Sequence, residues 1–117
     1  MIILEIPVRL PGRNEQEKAS RINRYAGAAM KKKYTSIVAM CCTGIPEIKG
    51  RAWFKFIWYE PNKRRDPDNI SAGMKFIFDG LIAAGKMQND GWANVAGFSH
   101  RFEVNKEPKV VIEITKK

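Results

Sequence analysis

The segment IKGRAWFKFIWYE constrains the fold most. It puts Trp53, Phe54, Phe56, Trp58 and Tyr59 into one strand-length run, and aromatic side chains favour pleated backbone. Rings this large need cover, so the run predicts a central strand with its aromatics in a core. The flanking segments say what covers it. Downstream, Ile70, Met74, Ile77 and Leu81 recur at helical spacing, which predicts a helix over about Pro67 to Ala84 with Gly85 as its C-cap. Upstream, IILEIPVRL alternates and is rich in isoleucine, a strand signal, and PGRN ends it. Asn14 then suits an N-cap, and Glu15 and Glu17 suit the positive first turn of a helix. That helix is expected to run from about Glu15 into the Ile37–Cys42 region, where TGIP stops it. Its apolar stripe of Ile22, Ala26, Ala29, Met30, Lys33 and Ile37 is imperfect. After the loop KMQNDGWAN come VAGFSHRFEVN and KVVIEITKK, whose spacing predicts a hairpin or two adjacent strands. No internal repeat, low-complexity tract or linker interrupts the chain. The order β-α-β-α-β-β therefore predicts one domain over residues 1–117. Its class is α/β (α+β), a single mixed sheet with two main helices.

Charge narrows the choice of partner. The 117 residues include 21 Lys and Arg against 12 Asp and Glu, for a formal net charge of +9. Such a surface attracts polyanions, with nucleic acid first and acidic membranes as the competitor. No apolar run approaches the roughly 20 residues of a membrane span. MIILEIPVRL lacks the basic start of a signal peptide, so a cytoplasmic protein with no membrane partner is expected. Cys41 and Cys42 are adjacent, which makes a strained bridge, and no His or Cys nearby completes a zinc site. Reduced, packed thiols are expected. The lone His100 reads as structural or solvated.

The densest chemistry lies in KRRDPDNISAGMKFIFDGL. Within a helix Asp66 and Asp68 would point about 200° apart and could not share a ligand. Pro67 biases Asp66 toward extended backbone, where the two carboxylates can converge on one hard cation such as Mg²⁺. Asp90, in the loop after the second helix, is a possible third ligand. The plainer alternative is capping: Asp66 as N-cap, Pro67 at the first helical position, Asp68 favouring the helix dipole. Both readings stay open, and for Asp66 they are compatible. Lys63, Arg64 and Arg65 tilt the balance, because a carboxylate-bound cation among basic residues suits phosphodiester cleavage. Lys75 and Asp79 lie one helical turn apart. They form either a solvated pair or a lysine directed at a reacting phosphate.

Taken together, RRDPDNI, KFIFDGL and AAGKMQND resemble the RusA-like crossover-junction endodeoxyribonucleases, small resolvases found largely in phages and prophages. Asp66, Asp68 and Asn69 match that family's Asp-x-Asp-Asn motif after a basic run. Lys75, Asp79, Gly80 and Leu81 match its Lys-containing helix, and Gly85 with Asp90 its closing turn and acid. IPVRLPGRNEQ is similar to its N-terminal strand and turn, so the resemblance covers most of the chain. It implies a homodimer that binds a four-way DNA junction and nicks two strands symmetrically, with Mg²⁺ as cofactor and Mn²⁺ as its substitute. It implies Asp66, Asp68 and Asp90 as metal ligands, Lys75 as a catalytic lysine, and the cytoplasm of a bacterial host as the location. The stretch from Asn69 to Lys75 is longer than the family pattern. If the extra residues are an insertion Lys75 keeps the role; if not, Ala72 stands at the lysine position. Arg13, Asn14, Lys18, Arg21, Lys31, Lys32, Lys63, Arg64 and Arg65 are the expected DNA contacts. The alternatives are a non-catalytic basic DNA-binding module, which gains nothing from the acids, and an RNA-binding protein using the aromatics of IKGRAWFKFIWYE as a stacking platform.

Overall fold

The computed structural model describes residues 1–117. The elements, in chain order, are β1 (Ile2–Ile6), α1 (Arg13–Ile22), α2 (Arg24–Cys41), a short 3-10 turn (Cys42–Gly44), β2 (Ala52–Glu60), α3 (Pro67–Ser71), α4 (Met74–Ala83), β3 (Val95–Val104) and β4 (Lys109–Lys116). The result is a mixed α+β fold with one four-stranded mixed sheet in the order β1-β4-β2-β3. The aromatic strand β2 is central, antiparallel to β4 on one side and parallel to β3 on the other.

One expectation about the sheet is corrected here. β3 and β4 are neither a hairpin nor adjacent, because β2 lies between them. The connection passes over the end of β2, where Asn105 N–H donates to the Glu60 carbonyl at 2.8 Å. Alternating apolar residues mark a strand's faces without naming its neighbour, so the two segments could not be told from a hairpin.

Both expected helices are split. Asn23 has extended backbone (φ −173°, ψ 167°), and its side chain accepts from Ala26 N–H at 2.8 Å, capping α2 and ending α1. Asparagine offers the backbone a local alternative to the helical ladder, and here that alternative wins. The second break falls at Ala72–Gly73, within the long stretch between Asn69 and Lys75, and separates a five-residue α3 from α4. Gly85 closes α4 as expected: its φ is +73°, Lys86 N–H donates to the Leu81 carbonyl at 2.9 Å, and Gly85 N–H to Ile82 at 3.0 Å.

The core lies between the helices and one face of the sheet. Leu4, Ile6, Phe54, Phe56, Ile112 and Ile114 meet Val38, Ile77 and Leu81 there. Phe78 of α4 stands edge-on to Phe54 and Phe56, with ring centroids 5.1 and 5.8 Å away. Gly80 lets α4 approach Val38 of α2 more closely than any side chain would allow. The rings of β2 are thus largely structural: Phe54, Phe56 and Trp58 are buried, and Trp53 and Tyr59 belong to the opposite face. No helix is long and apolar enough to cross a membrane. Cys42 is buried and Cys41 half-buried, and both thiols are free. Burial pushes the Cys42 thiol up to about 11 and raises that of Cys41.

Candidate functional site

Asp66 occupies the N-cap position of α3 with extended backbone (φ −74°, ψ 152°), as expected before proline, and Pro67 begins the helix. The capping is positional only, since the Asp66 side chain makes no cap hydrogen bond. Asp68 turns one oxygen to its neighbour, accepting from Asn69 N–H at 3.0 Å. Both carboxylates are exposed, and neither has a cationic partner. Asn69 is buried, and its side-chain oxygen accepts from Asn14 N–H at 2.9 Å. It thereby satisfies one of the free donors of the first turn of α1 and ties that helix to the acidic turn. Asn14 is not the N-cap of α1; that position belongs to Gly12.

The basic run divides. Lys63 and Arg64 are exposed and unpaired. Arg65, expected on DNA, turns inward: its guanidinium lies 2.7 Å from Glu15, donates to the Leu10 carbonyl at 3.0 Å and approaches Glu60 at 3.9 Å. Glu60, whose side chain is 8 % exposed, also takes Arg9 at 2.8 Å. Arg65 therefore fixes the loop before Asp66 instead of offering a free cation. Reading the sequence did not single out Arg9 or Glu60; the available signal was that Glu60 falls on the inward-facing alternation of β2. Of the other expected contacts, Arg13 and Arg21 flank Glu17 at 3.3 and 3.6 Å. Lys31 lies 4.0 Å from Asp79. Exposed pairs of this kind hold cations weakly. Lys18 and Lys32 are exposed and unpaired.

The second acidic group forms around Lys75, in the first turn of α4. Its ammonium lies 3.1 Å from Asp90 and 3.2 Å from Asp79. The hydrogen bond to Asp90 is the largest influence and raises the Lys75 pKa; partial burial works against it, and Asp79 adds to the rise. The pair is therefore not simply solvated. Asp79 is 16 % exposed, with one oxygen buried and without a hydrogen bond.

The two acidic groups lie at opposite ends of β3. Asp66, Lys63 and Phe102 share an open cleft of about 270 Å³. Asp90, Trp92 and Phe98 share another of about 350 Å³. Between them runs Phe98–His100–Phe102, on the face of β3 that packs toward Phe56 and Phe78. Trp58 Nε1–H donates to His100 Nδ1 at 2.9 Å, and burial lowers the imidazole pKa. In the neutral ring this leaves Nε2 as the protonated nitrogen. Trp92 is 91 % exposed and Phe98 44 %. Neither was singled out: Trp92 lies in the loop before β3, and for Phe98 alternation alone does not show how far the helical layer covers an edge strand.

Asp66, Asp68 and Asp90 do not converge: no group of three or more His, Cys, Asp or Glu side chains stands where it could hold a metal ion. The free carboxylates are Asp66 and Asp68, while Asp90 is committed to Lys75. Comparison with protein-family models found no match to this chain, and comparison with curated proteins found no relative.

Proposed function

We propose that the protein is a structure-specific endodeoxyribonuclease that resolves four-way DNA junctions by paired nicks, as its resemblance to RusA-like resolvases implies. The observation that carries this reading is the pairing of opposites at one turn. Asp66 and Asp68 keep free carboxylates beside the unpaired cations Lys63 and Arg64, while Arg65 is held away from them. A module that only bound DNA would gain nothing from acids there, since they repel phosphate. In this reading Lys63 and Arg64 hold the flanking phosphates, and exposed Lys18 and Lys32 extend the basic surface. Asp66 and Asp68 would hold Mg²⁺, or Mn²⁺ in its place, while Lys75, expected as the catalytic lysine, stands with Asp79 and Asp90 in the other acidic group and is given no role at this turn. A bound cation supplies a water of lowered pKa and charge neutralisation at phosphate. The full set with Asp90 does not form as the side chains stand, so no step is assigned to it.

A homodimer belongs to the same proposal. One chain has one such turn, two symmetric nicks need two, and twofold dimers are the commonest soluble assembly. The deciding experiment is a gel with a synthetic four-way junction, linear duplex and single strand, each with Mg²⁺ and with EDTA. Paired cuts in the junction alone, and only with metal, are expected. Binding to all three without cutting would favour a non-catalytic module and end this reading.

A further inference from the structure

We propose that Phe98, His100 and Phe102 form a stacking platform for unpaired DNA bases, leading a strand from the Asp90 cleft to the Asp66 cleft. The proposal rests on the reading that the substrate is branched DNA, and it names the part of that substrate this surface takes.

The row arises from strand periodicity at a partly covered edge. Alternate residues of β3 share a face, and on β2 the matching face lies beneath α4. β3 lies at the margin of that cover: Phe78 of α4 reaches Phe98 at 6.4 Å, yet Phe98 stays 44 % exposed and Val104, at the end of the row, 54 %. The rings behind are rigid: His100 stacks on Phe56 at 5.1 Å and on Trp58 at 6.0 Å, and the Trp58 hydrogen bond holds the imidazole in place. A preformed aromatic surface binds without first having to be ordered.

Spacing and size choose the occupant. Ring centroids are 5.6 Å apart from Phe98 to His100, whose planes cross at 67°, and 6.3 Å from His100 to Phe102, whose planes lie within 20°, so each ring would meet its own base and not one continuous stack. Stacked bases in a duplex strand rise about 3.4 Å, so one base per ring fits only a strand that is stretched and unpaired. Aromatic side chains present roughly 150–250 Å² each, and most of that is covered here, which leaves on the order of 200 Å². A second copy of the chain would need about 800 Å² per partner. A few flat bases need no more than the row offers. Charge along the row is mixed: unpaired Lys63 lines the cleft that Phe102 also lines, beside Asp66, Glu60 and Glu103, on a chain of net charge +9. The sequence placed a possible platform on β2; the structure buries Phe54, Phe56 and Trp58 of that run, turns Trp53 and Tyr59 to the other face, and leaves Phe98 exposed with His100 and Phe102 half-buried beside it.

The test is fluorescence anisotropy in EDTA with three labelled probes: a continuous duplex, the same duplex with an internal loop of unpaired thymines, and oligo-dT. Phe98→Leu and Phe98→Leu/Phe102→Leu keep apolar volume and lose the flat face. The double variant should lose roughly tenfold in affinity for the looped and single-stranded probes, within the range of base–aromatic stacking, while duplex affinity stays within about twofold. Equal loss on all probes, whether or not sedimentation shows a changed mass, overturns the platform. If the double variant does not fold, Phe98→Leu at the more exposed position carries the test. Wild type that binds duplex and looped probe equally overturns the platform alone, leaving the nuclease reading to the junction gel. Wild type that prefers unpaired DNA yet never cuts a junction sinks the nuclease reading and leaves the platform standing.

Discussion

The two acidic groups are built in opposite ways. At the end of β2, Asp66 and Asp68 have three cations immediately before them in the chain and pair with none. Toward the other end of β3, Asp79 and Asp90 come from separate elements and share the ammonium of Lys75. Sequence proximity is thus a poor guide to charge pairing here. Arg65 is diverted because Glu15, Glu60 and the Leu10 carbonyl offer a half-buried site with several acceptors, against a solvated carboxylate next door. A charged group held by more acceptors and less water gains more. The difference separates acids left available to a ligand from acids already neutralised by the protein.

The sharpest test removes one of the available acids. Asp68→Asn should lower junction cutting by about 10² to 10³, the scale of losing one charge-stabilising group. Junction binding should hold or tighten, because a negative charge near phosphate is gone. Gel cutting assays beside anisotropy in EDTA separate the two effects. Full cutting by Asp68→Asn would remove that residue from the chemistry and with it the value of an unpaired turn.

The second test attacks what keeps the groups different. Glu60 takes Arg9 and Arg65 from a side chain only 8 % exposed. Glu60→Gln leaves two partly buried guanidinium groups undercompensated, and about 3 kcal/mol of stability should be lost, the low end for breaking a buried pair. Urea unfolding reads this directly. Arg65 would keep Glu15 and the Leu10 carbonyl, so the loss falls mainly on Arg9. An unchanged unfolding midpoint would mean that the Arg9–Glu60 pair is incidental to the fold.

The contrast also marks where the sequence is legible. Period-two and helical patterns identified the central aromatic strand, the helical stretch from Met74 to Leu81 and the Gly85 cap, because each depends on residues close in the chain. The extended Asp66 was readable for the same reason, from Pro67 alone. The breaks at Asn23 and Gly73 were missed because apolar spacing continues through them; a side-chain cap ends the helix at Asn23, and at Gly73 Leu10 and Trp58 lie close enough to crowd any side chain. The position of β3 across β2, the Arg9–Glu60–Arg65 clamp and the exposed aromatic row all depend on which strands become neighbours. No local pattern carries that information. Asn69 lay in a recognised motif, yet its partner, the N–H of Asn14, is on another element.

The smallest expected effect probes the neutralised group by pH. The Lys75 ammonium is favoured by folding, chiefly through Asp90, so its pKa in the folded chain lies above the ordinary 10.5. A raised pKa means that the folded state holds this proton more tightly than the unfolded state does. The resulting stability is complete below the unfolded value, about 10.4, and is lost as pH rises through the folded one. The side chain is 58 % exposed, so screening by water limits the contribution to about 0.2–1 kcal/mol. Lys75→Met removes the ammonium and keeps the chain length. Wild type should therefore exceed this variant in urea unfolding at pH 8, and the gap should narrow as pH climbs past 10.5, where wild type holds a neutral amine between the same carboxylates. The comparison within each pH cancels the other lysines and tyrosines that titrate in that range. Asp68→Asn, which touches no ion pair, should show no such alkaline closure against wild type. A Lys75→Met gap that widens with pH would reverse the sign and mean that Asp79 and Asp90 are neutralised by something other than this lysine.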